Sequence, residues 1–302
     1  MSIISRLSGV IPPTTTPFDT EGKLNVRAFV TQLRFMAASG VHGVCVGGST
    51  GEGHTLDADE LRATWEAAAS EIGDRLPLVA GVIINSTRQA VERCSLARKA
   101  GAVALQVTPP YYVFRPSDEA LVEHFRVIAE ESGLPILIYN VVPWCYLSPS
   151  LLIRIMREVP GVIGVKQSNG DLKLLADLLI DLPEGKLVLT AVDALLYPSF
   201  TLGVHGTIAA NPAAVPASVV ALWNAVKRGE HALAQDLHVR LLKFWNAILC
   251  DDLPACVKYA QSLQGVDAGL PRAPMRMPDE ARRKRIDLAF EQLQAATRAA
   301  AA

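Results

Sequence analysis

The sequence predicts an α/β fold, a (β/α)8 TIM barrel followed by a helical extension, and three observations carry that prediction. Eight short apolar runs recur between residues 9 and 210 of the 302-residue chain. Each run is near-continuous rather than alternating, as parallel strands covered on both faces require. Segments with helical period separate them, and the run-to-run spacing of roughly 25–30 residues is the size of one βαβ unit. Eight such units fit a closed barrel better than a doubly wound sheet, which usually has about six strands.

The runs occupy residues 9–12, 41–46, 76–82, 102–107, 134–139, 162–165, 186–190 and 206–210. The first intervening helix is expected over residues 25–38, with Phe29 and Leu33 facing inward and Gly40 just past its end. Asp57 opens the next and Gly73 closes it; Ser86 opens the third, which stops at Gly101. Ser117 opens the fourth, with Glu119 in its first turn and Gly133 after its end. Ser148, Asp171 and Asp193 open the later ones. Ser and Asp at the start and Gly at the stop are the expected capping asymmetry. The barrel is complete near residue 225. Two units follow: a barrel over 1–225, and an extension over 226–302 that packs on it rather than folding alone. Helices are expected there at 230–249, 254–263 and 278–299, with a Pro- and Gly-rich link at 265–278.

Composition narrows the classes of function. Hydrophobic residues make up 50% and charged residues 20%, which supports a large core and excludes a disordered chain. A net charge of −1 offers no basic field for nucleic acid or an anionic membrane. The cluster Arg282-Arg283-Lys284 reads as a solvated helix face. The five cysteines include no CxxC pair, and Cys45 lies inside an apolar run as a small core residue. Free thiols suit a reducing compartment. The opening MSIISRLSGV lacks the long apolar region of a secretory leader. No run approaches the roughly 18 apolar residues of a membrane span. A cytoplasmic protein with no nucleic-acid or membrane partner is the expectation.

Candidate chemistry gathers at the C-terminal ends of the strands, where barrels of this type place it. Lys166 ends the sixth run, in GVIGVKQSNG. In an apolar barrel mouth the charged ammonium is disfavoured, and a neutral amine can attack a ketone to form a Schiff base. The alternative is a lysine that pairs with an acid or reaches solvent. The loop GGSTGEGHTL at 47–56 follows the second run. Its glycines, Gly48 among them, let backbone N–H groups point into a cavity, and Ser49 and Thr50 add hydroxyls; such a nest suits a carboxylate or phosphate. Taken alone, it is an ordinary Gly-rich turn. Glu52 reads as a residue that ties the loop to its neighbours. Tyr139, at the end of the fifth run, could pass protons to and from a substrate, or be a core tyrosine with a satisfied hydroxyl. In VTPPYYVFRPS, Pro109-Pro110 projects Tyr111 and Tyr112, which suits a subunit interface as well as catalysis. His42, His54 and His205 show no HxH or HExxH spacing, so no metal site is expected.

In this order, the stretches GVIPPTTTPF at 9–18, GSTGE at 48–52, TPPYY at 108–112, YNVVP at 139–143, GVKQSNGD at 164–171 and HGTIAAN at 205–211 resemble the dihydrodipicolinate synthase / N-acetylneuraminate lyase family of class I pyruvate aldolases. The resemblance covers the barrel from about Gly9 and, more weakly, the C-terminal helices. It implies a lyase with no cofactor beyond a covalent imine on Lys166. It implies that Tyr139 shuttles protons and orients a bound 2-oxo acid. Ser49 and Thr50 become the hydroxyl pair, with Thr50 and the loop amides, including that of Gly48, holding the substrate carboxylate. Tyr112, with Tyr111 the alternative, becomes a tyrosine lent by a neighbouring subunit to a Thr/Ser–Tyr–Tyr relay. Ile208 presents its backbone carbonyl to the imine. A homotetramer built as a dimer of dimers is implied as well.

Departures from the family pattern shape the expected substrate. Dihydrodipicolinate synthases usually carry an arginine shortly after the YNVP motif, and it holds the distal carboxylate of the semialdehyde. Here YNVVPWCYLSP places Trp144 and Cys145 in that region, and an aromatic ring cannot replace a bidentate guanidinium fork. Gln167 stands where the family often has an acid, and Ala191 where it often has a glycine. Ala194 and Ala210 stand where the polar residues of a sugar site would be sought. The expectation is a Schiff-base lyase acting on pyruvate or a related 2-oxo acid, by aldol condensation or cleavage or by dehydration of a 2-keto-3-deoxy sugar acid. Trp144 is expected to flank a less charged distal substrate end. A true 4-hydroxy-tetrahydrodipicolinate synthase is disfavoured by the missing arginine. A non-catalytic binder of 2-oxo acids has no need of the whole relay.

Overall fold

The computed structural model describes residues 3–301. Eight parallel strands form one sheet: β1 (Gly9–Val10), β2 (Val44–Val46), β3 (Leu78–Val82), β4 (Ala104–Val107), β5 (Ile136–Asn140), β6 (Val162–Gln167), β7 (Leu187–Thr190) and β8 (Gly206–Thr207). Consecutive strands are neighbours from β2 to β8, and β8 pairs β1. A bridge between Pro13 and Cys45 closes the ring, with the Cys45 N–H donating to the Pro12 carbonyl at 2.9 Å.

Helices α1 (Ile3–Arg6) and α2 (Val26–Ala38) precede β2. Then α3 (Ala58–Ile72), α4 (Thr87–Lys99), α5 (Asp118–Ser132), α6 (Pro149–Glu158) and α7 (Leu172–Ile180) each link successive strands. Helix α8 (Leu196–Leu202) follows β7, while α9 (Ala210–Ala214) and α10 (Pro216–Lys227) follow β8. The extension consists of α11 (His231–Ile248), α12 (Leu253–Ser262) and α13 (Glu280–Ala301), with α11 lying against α10, α8 and α13. No helix is long and apolar enough to cross a membrane among the described residues.

The caps fall where the sequence puts them. Asn25, Asp57, Ser86, Ser117, Ser148 and Asp171 each accept a backbone N–H of the first turn of the following helix. Such caps contribute about 1 kcal/mol apiece. Asp57 and Glu60 complete a reciprocal capping box. Asp193 departs from the expected pattern. It opens only a 3-10 turn, and its carboxylate crosses to the N-terminus of α9 instead. The first and last strands are shorter than their apolar runs. Pro12 and Pro13 have no N–H to extend β1, and the chain coils into α9 three residues after β8 ends.

Two apolar layers follow from the strand alternation. Inside the barrel, Leu7, Ile11, Cys45, Val79, Ala104, Leu137, Ile163, Leu187, Leu189 and Ile208 fill the lower space with no residue more than 5% exposed. The larger layer lies between strands and helices; there Trp65 of α3 is fully buried and its indole N–H donates to the Val46 carbonyl at 3.1 Å. The lower barrel is therefore filled by these side chains, and its open space lies toward the C-terminal mouth.

Candidate active site

Register brings the two principal side chains together. In the β5–β6 ladder Tyr139 pairs Lys166, with Leu189 opposite Lys166 on β7. Parallel partners point the same way, so phenol and amine both enter the barrel mouth. Lys166 is only 4% exposed, and its Nζ lies 3.8 Å from the centre of the Tyr139 ring. No carboxylate lies within ion-pair distance of it among the described residues. The Asp193 carboxylate lines the same cavity and feels the Lys166 charge without forming an ion pair with it. The Tyr139 hydroxyl donates to Ser49 Oγ at 3.0 Å.

Ser49 is held by a loop that folds back on itself. The N–H groups of Gly51 and Gly53 both donate to the Gly48 carbonyl at 3.0 Å, and the Glu52 N–H donates to the Ser49 carbonyl at 3.0 Å. Gly53 packs so tightly on Gly47 that a Cβ there would lie 2.0 Å from the Gly47 carbonyl oxygen, so no other residue fits. Glu52 adopts a left-handed backbone with φ 54°. Its buried carboxylate accepts from Lys258 Nζ at 2.6 Å and from the Arg272 N–H at 2.8 Å. The tying role expected of Glu52 is the one its contacts describe, and the partners come from α12 and the segment after it. Burial holds the Lys258 ammonium below the usual lysine range, against the opposing pull of Glu52.

A cavity of about 240 Å³ opens above Lys166. Ser49, Thr50, Tyr139, Lys166, Ser168 and Asp193 give it polar groups. Val141, Ala191, Ile208, Trp245, Leu253 and Pro254 give it apolar wall, joined by Ala209 and Ala210. Five of the expected residues, Lys166, Tyr139, Ser49, Thr50 and Ile208, therefore meet in one cavity. Gly48 braces the loop from behind. Tyr112 and Trp144 stand outside on the rim, 77% and 70% exposed. The Tyr111 and Tyr112 N–H groups both donate to Asn85 Oδ1 at 2.9 Å, and the Trp144 indole N–H donates to the Tyr111 carbonyl at 2.9 Å. Gln167 turns away from the mouth, where its Oε1 accepts from Asn140 Nδ2 at 3.2 Å and from the Ser168 N–H at 3.1 Å.

Asp193 is the site residue that local sequence signals misassign. It accepts the Ala210 N–H on Oδ2 at 3.0 Å and the Asn211 N–H on Oδ1 at 2.5 Å. Burial pushes its carboxyl up to about 6, while the two N–H groups and the Lys166 charge pull the other way. Ser168 follows Lys166 by two residues, and its buried Oγ has no protein partner. Trp245, Leu253 and Pro254 come from the extension, and nothing in their local sequence marks them. Chemically, the cavity sets a primary amine and a phenol–hydroxyl pair beside a loop of backbone donors, in a space closed from below. That combination can condense with a carbonyl, hold an adjacent carboxylate and move protons.

Comparison with known proteins gives the family and the fold. Residues 6–293 match the model of the Dihydrodipicolinate synthetase family. A 4-hydroxy-tetrahydrodipicolinate synthase of Methanopyrus kandleri is 34% identical over 274 residues, which covers 90% of this chain and 91% of that one. A crystal structure of a putative dihydrodipicolinate synthetase from Pseudomonas aeruginosa superposes with a TM-score of 0.90 at 29% identity, over 95% of this chain and 99% of that one. YagE of E. coli K12, a prophage protein of the dihydrodipicolinic acid synthase family solved in complex with pyruvate, gives 0.90 at 26% identity, over 95% and 99% of the two chains.

Proposed function

Because the chain belongs to the dihydrodipicolinate synthetase family, whose members are lyases and aldolases, we propose that it acts on pyruvate or a related 2-oxo acid through an imine on Lys166. The observation that carries this reading is Lys166 itself: a buried amine without a carboxylate partner, beside Tyr139, at the floor of a small cavity.

In the proposed cycle the Lys166 amine attacks the ketone carbon, and water leaves as the C=N bond forms. The Thr50 hydroxyl and the Ser49 and Thr50 amides, which make no bond within the loop, hold the substrate carboxylate. The imine is an electron sink. When the C3 proton leaves, or when the C3–C4 bond breaks, the electron pair moves into it and an enamine results. Tyr139 carries the proton, relayed through Ser49 at 3.0 Å. The exposed Tyr112 is available to a neighbouring subunit, where it would extend that relay; a homotetramer of paired dimers would bring it there. The negative Asp193, in the same cavity, favours the protonated imine over the free one. No metal or cofactor is required by these steps.

A second reading is supported by the relatives. The Methanopyrus kandleri protein is named a 4-hydroxy-tetrahydrodipicolinate synthase, and in this chain that activity would begin at the same Lys166 imine. The cavity lining contains no arginine for a second carboxylate, which favours a different partner for the enamine. Incubation with pyruvate and borohydride tests the common step. Pyruvate-dependent, irreversible loss of turnover is expected; full activity after that treatment would remove the imine from the account. Turnover of aspartate semialdehyde at rates comparable to other aldehydes would favour the second reading.

A further inference from the structure

We infer that the carbonyl partner of the pyruvate enamine is an uncharged aldehyde with an apolar body, selected by Trp245, Leu253 and Pro254 of the C-terminal extension. This rests on the imine reading above and deepens it.

The polar groups of the cavity are almost all spent on the 2-oxo acid. Lys166 forms the imine. Ser49, Thr50 and Tyr139 serve the carboxylate and the proton. Both oxygens of Asp193 are turned to the Ala210 and Asn211 amides. What remains for the second substrate is a wall of Val141, Ala191, Trp245, Leu253 and Pro254, since the Oγ of Ser168 is itself buried. Trp245 and Leu253 are both half-buried. A carboxylated aldehyde would carry its charge into this wall with no cation to meet it and with Asp193 nearby to repel it. A polyhydroxylated aldehyde would leave most of its hydroxyls unpaired. An aryl or alkyl aldehyde matches the wall.

The bond-making step balances. The enamine C3 bonds to the aldehyde carbon, and the aldehyde oxygen takes a proton to become a hydroxyl. Water then hydrolyses the imine, freeing the Lys166 amine and a 4-hydroxy-2-oxo acid. Cleavage is the same sequence reversed.

The test uses the full-length protein with pyruvate and three kinds of aldehyde: benzaldehyde and hexanal, glyceraldehyde, and succinic semialdehyde. The kcat/KM for the first kind is expected to exceed the other two by about tenfold or more. Leu253→Lys should shrink that ratio and raise turnover of succinic semialdehyde. Faster use of glyceraldehyde or succinic semialdehyde by the unaltered protein overturns the inference. So does failure to use any aldehyde while borohydride still traps pyruvate on Lys166, an outcome that leaves the imine standing. Absence of the trapped adduct overturns both together.

Discussion

Tyr139 and Lys166 meet because two parallel strands pair them residue for residue. Tyr139→Phe keeps that packing and removes only the proton carrier. Turnover is expected to fall by roughly 10²–10³-fold with little change in KM for pyruvate, read from steady-state kinetics. Asp193 gives a stability prediction. Its folded-state carboxyl is raised to about 6 from an ordinary 3.8. The folded protein therefore holds a proton that the unfolded chain has lost, and stability falls as pH rises from about 4 to 6 through this group. Asp193→Asn removes that slope. Denaturant melts should show the variant gaining on the parent by about 2 kcal/mol between pH 4 and pH 7. An equal difference at both pH values would mean the carboxyl titrates normally. Lys166, Tyr139, Ser49 and Thr50 are legible in the sequence because each stands at a strand end or just beyond it, where barrels keep their chemistry. Asp193 carries the same positional signal, but Asp-Ala-Leu-Leu also reads as a helix start. Only the fold reveals that its oxygens face Ala210 and Asn211.

At the scale of elements, the 47–56 loop is held from outside by α12. The side chains of Glu52 and Lys258 are both fully buried, so neither charge can turn to water if its partner goes. Glu52→Ala should destabilise the protein by about 3–5 kcal/mol in urea melts, and Glu52→Ala/Lys258→Met by clearly less. Equal losses in the two variants would show that the ion pair is not what holds the loop. The helices themselves are readable from caps, since Asn25, Asp57, Ser86 and Ser117 satisfy the first-turn amides whatever packs above them. The reach of Trp245 and Leu253 into the mouth is not readable. It depends on where α11 and α12 settle against the barrel, and no cap, glycine or periodicity encodes that.

For the whole molecule, Tyr112, Val113, Phe114 and Trp144 place a large exposed apolar edge beside the mouth. A face of this kind fits pairing with a second copy, and the proposed relay needs that pairing to bring Tyr112 to a neighbour's site. Sedimentation should give a mass several times the 32.4 kDa of the chain. Phe114→Glu with Trp144→Glu should lower both that mass and the turnover; a smaller assembly with full turnover would show that each subunit works alone. The barrel is legible in the sequence because eight apolar runs at one spacing leave few alternatives. The rim is not, since an exposed aromatic has the same local signature whether it binds substrate or another subunit.

The central claim is that one buried amine does the chemistry. Peptide mapping after treatment with pyruvate and borohydride tests it most directly, on the parent and on Lys166→Ala. The prediction is a reduced pyruvate adduct confined to the peptide containing Lys166, with none in the variant and its turnover down by about 10³-fold or more, about 4 kcal/mol of transition-state stabilisation. An adduct on another lysine, or none on the parent while turnover continues, would contradict it.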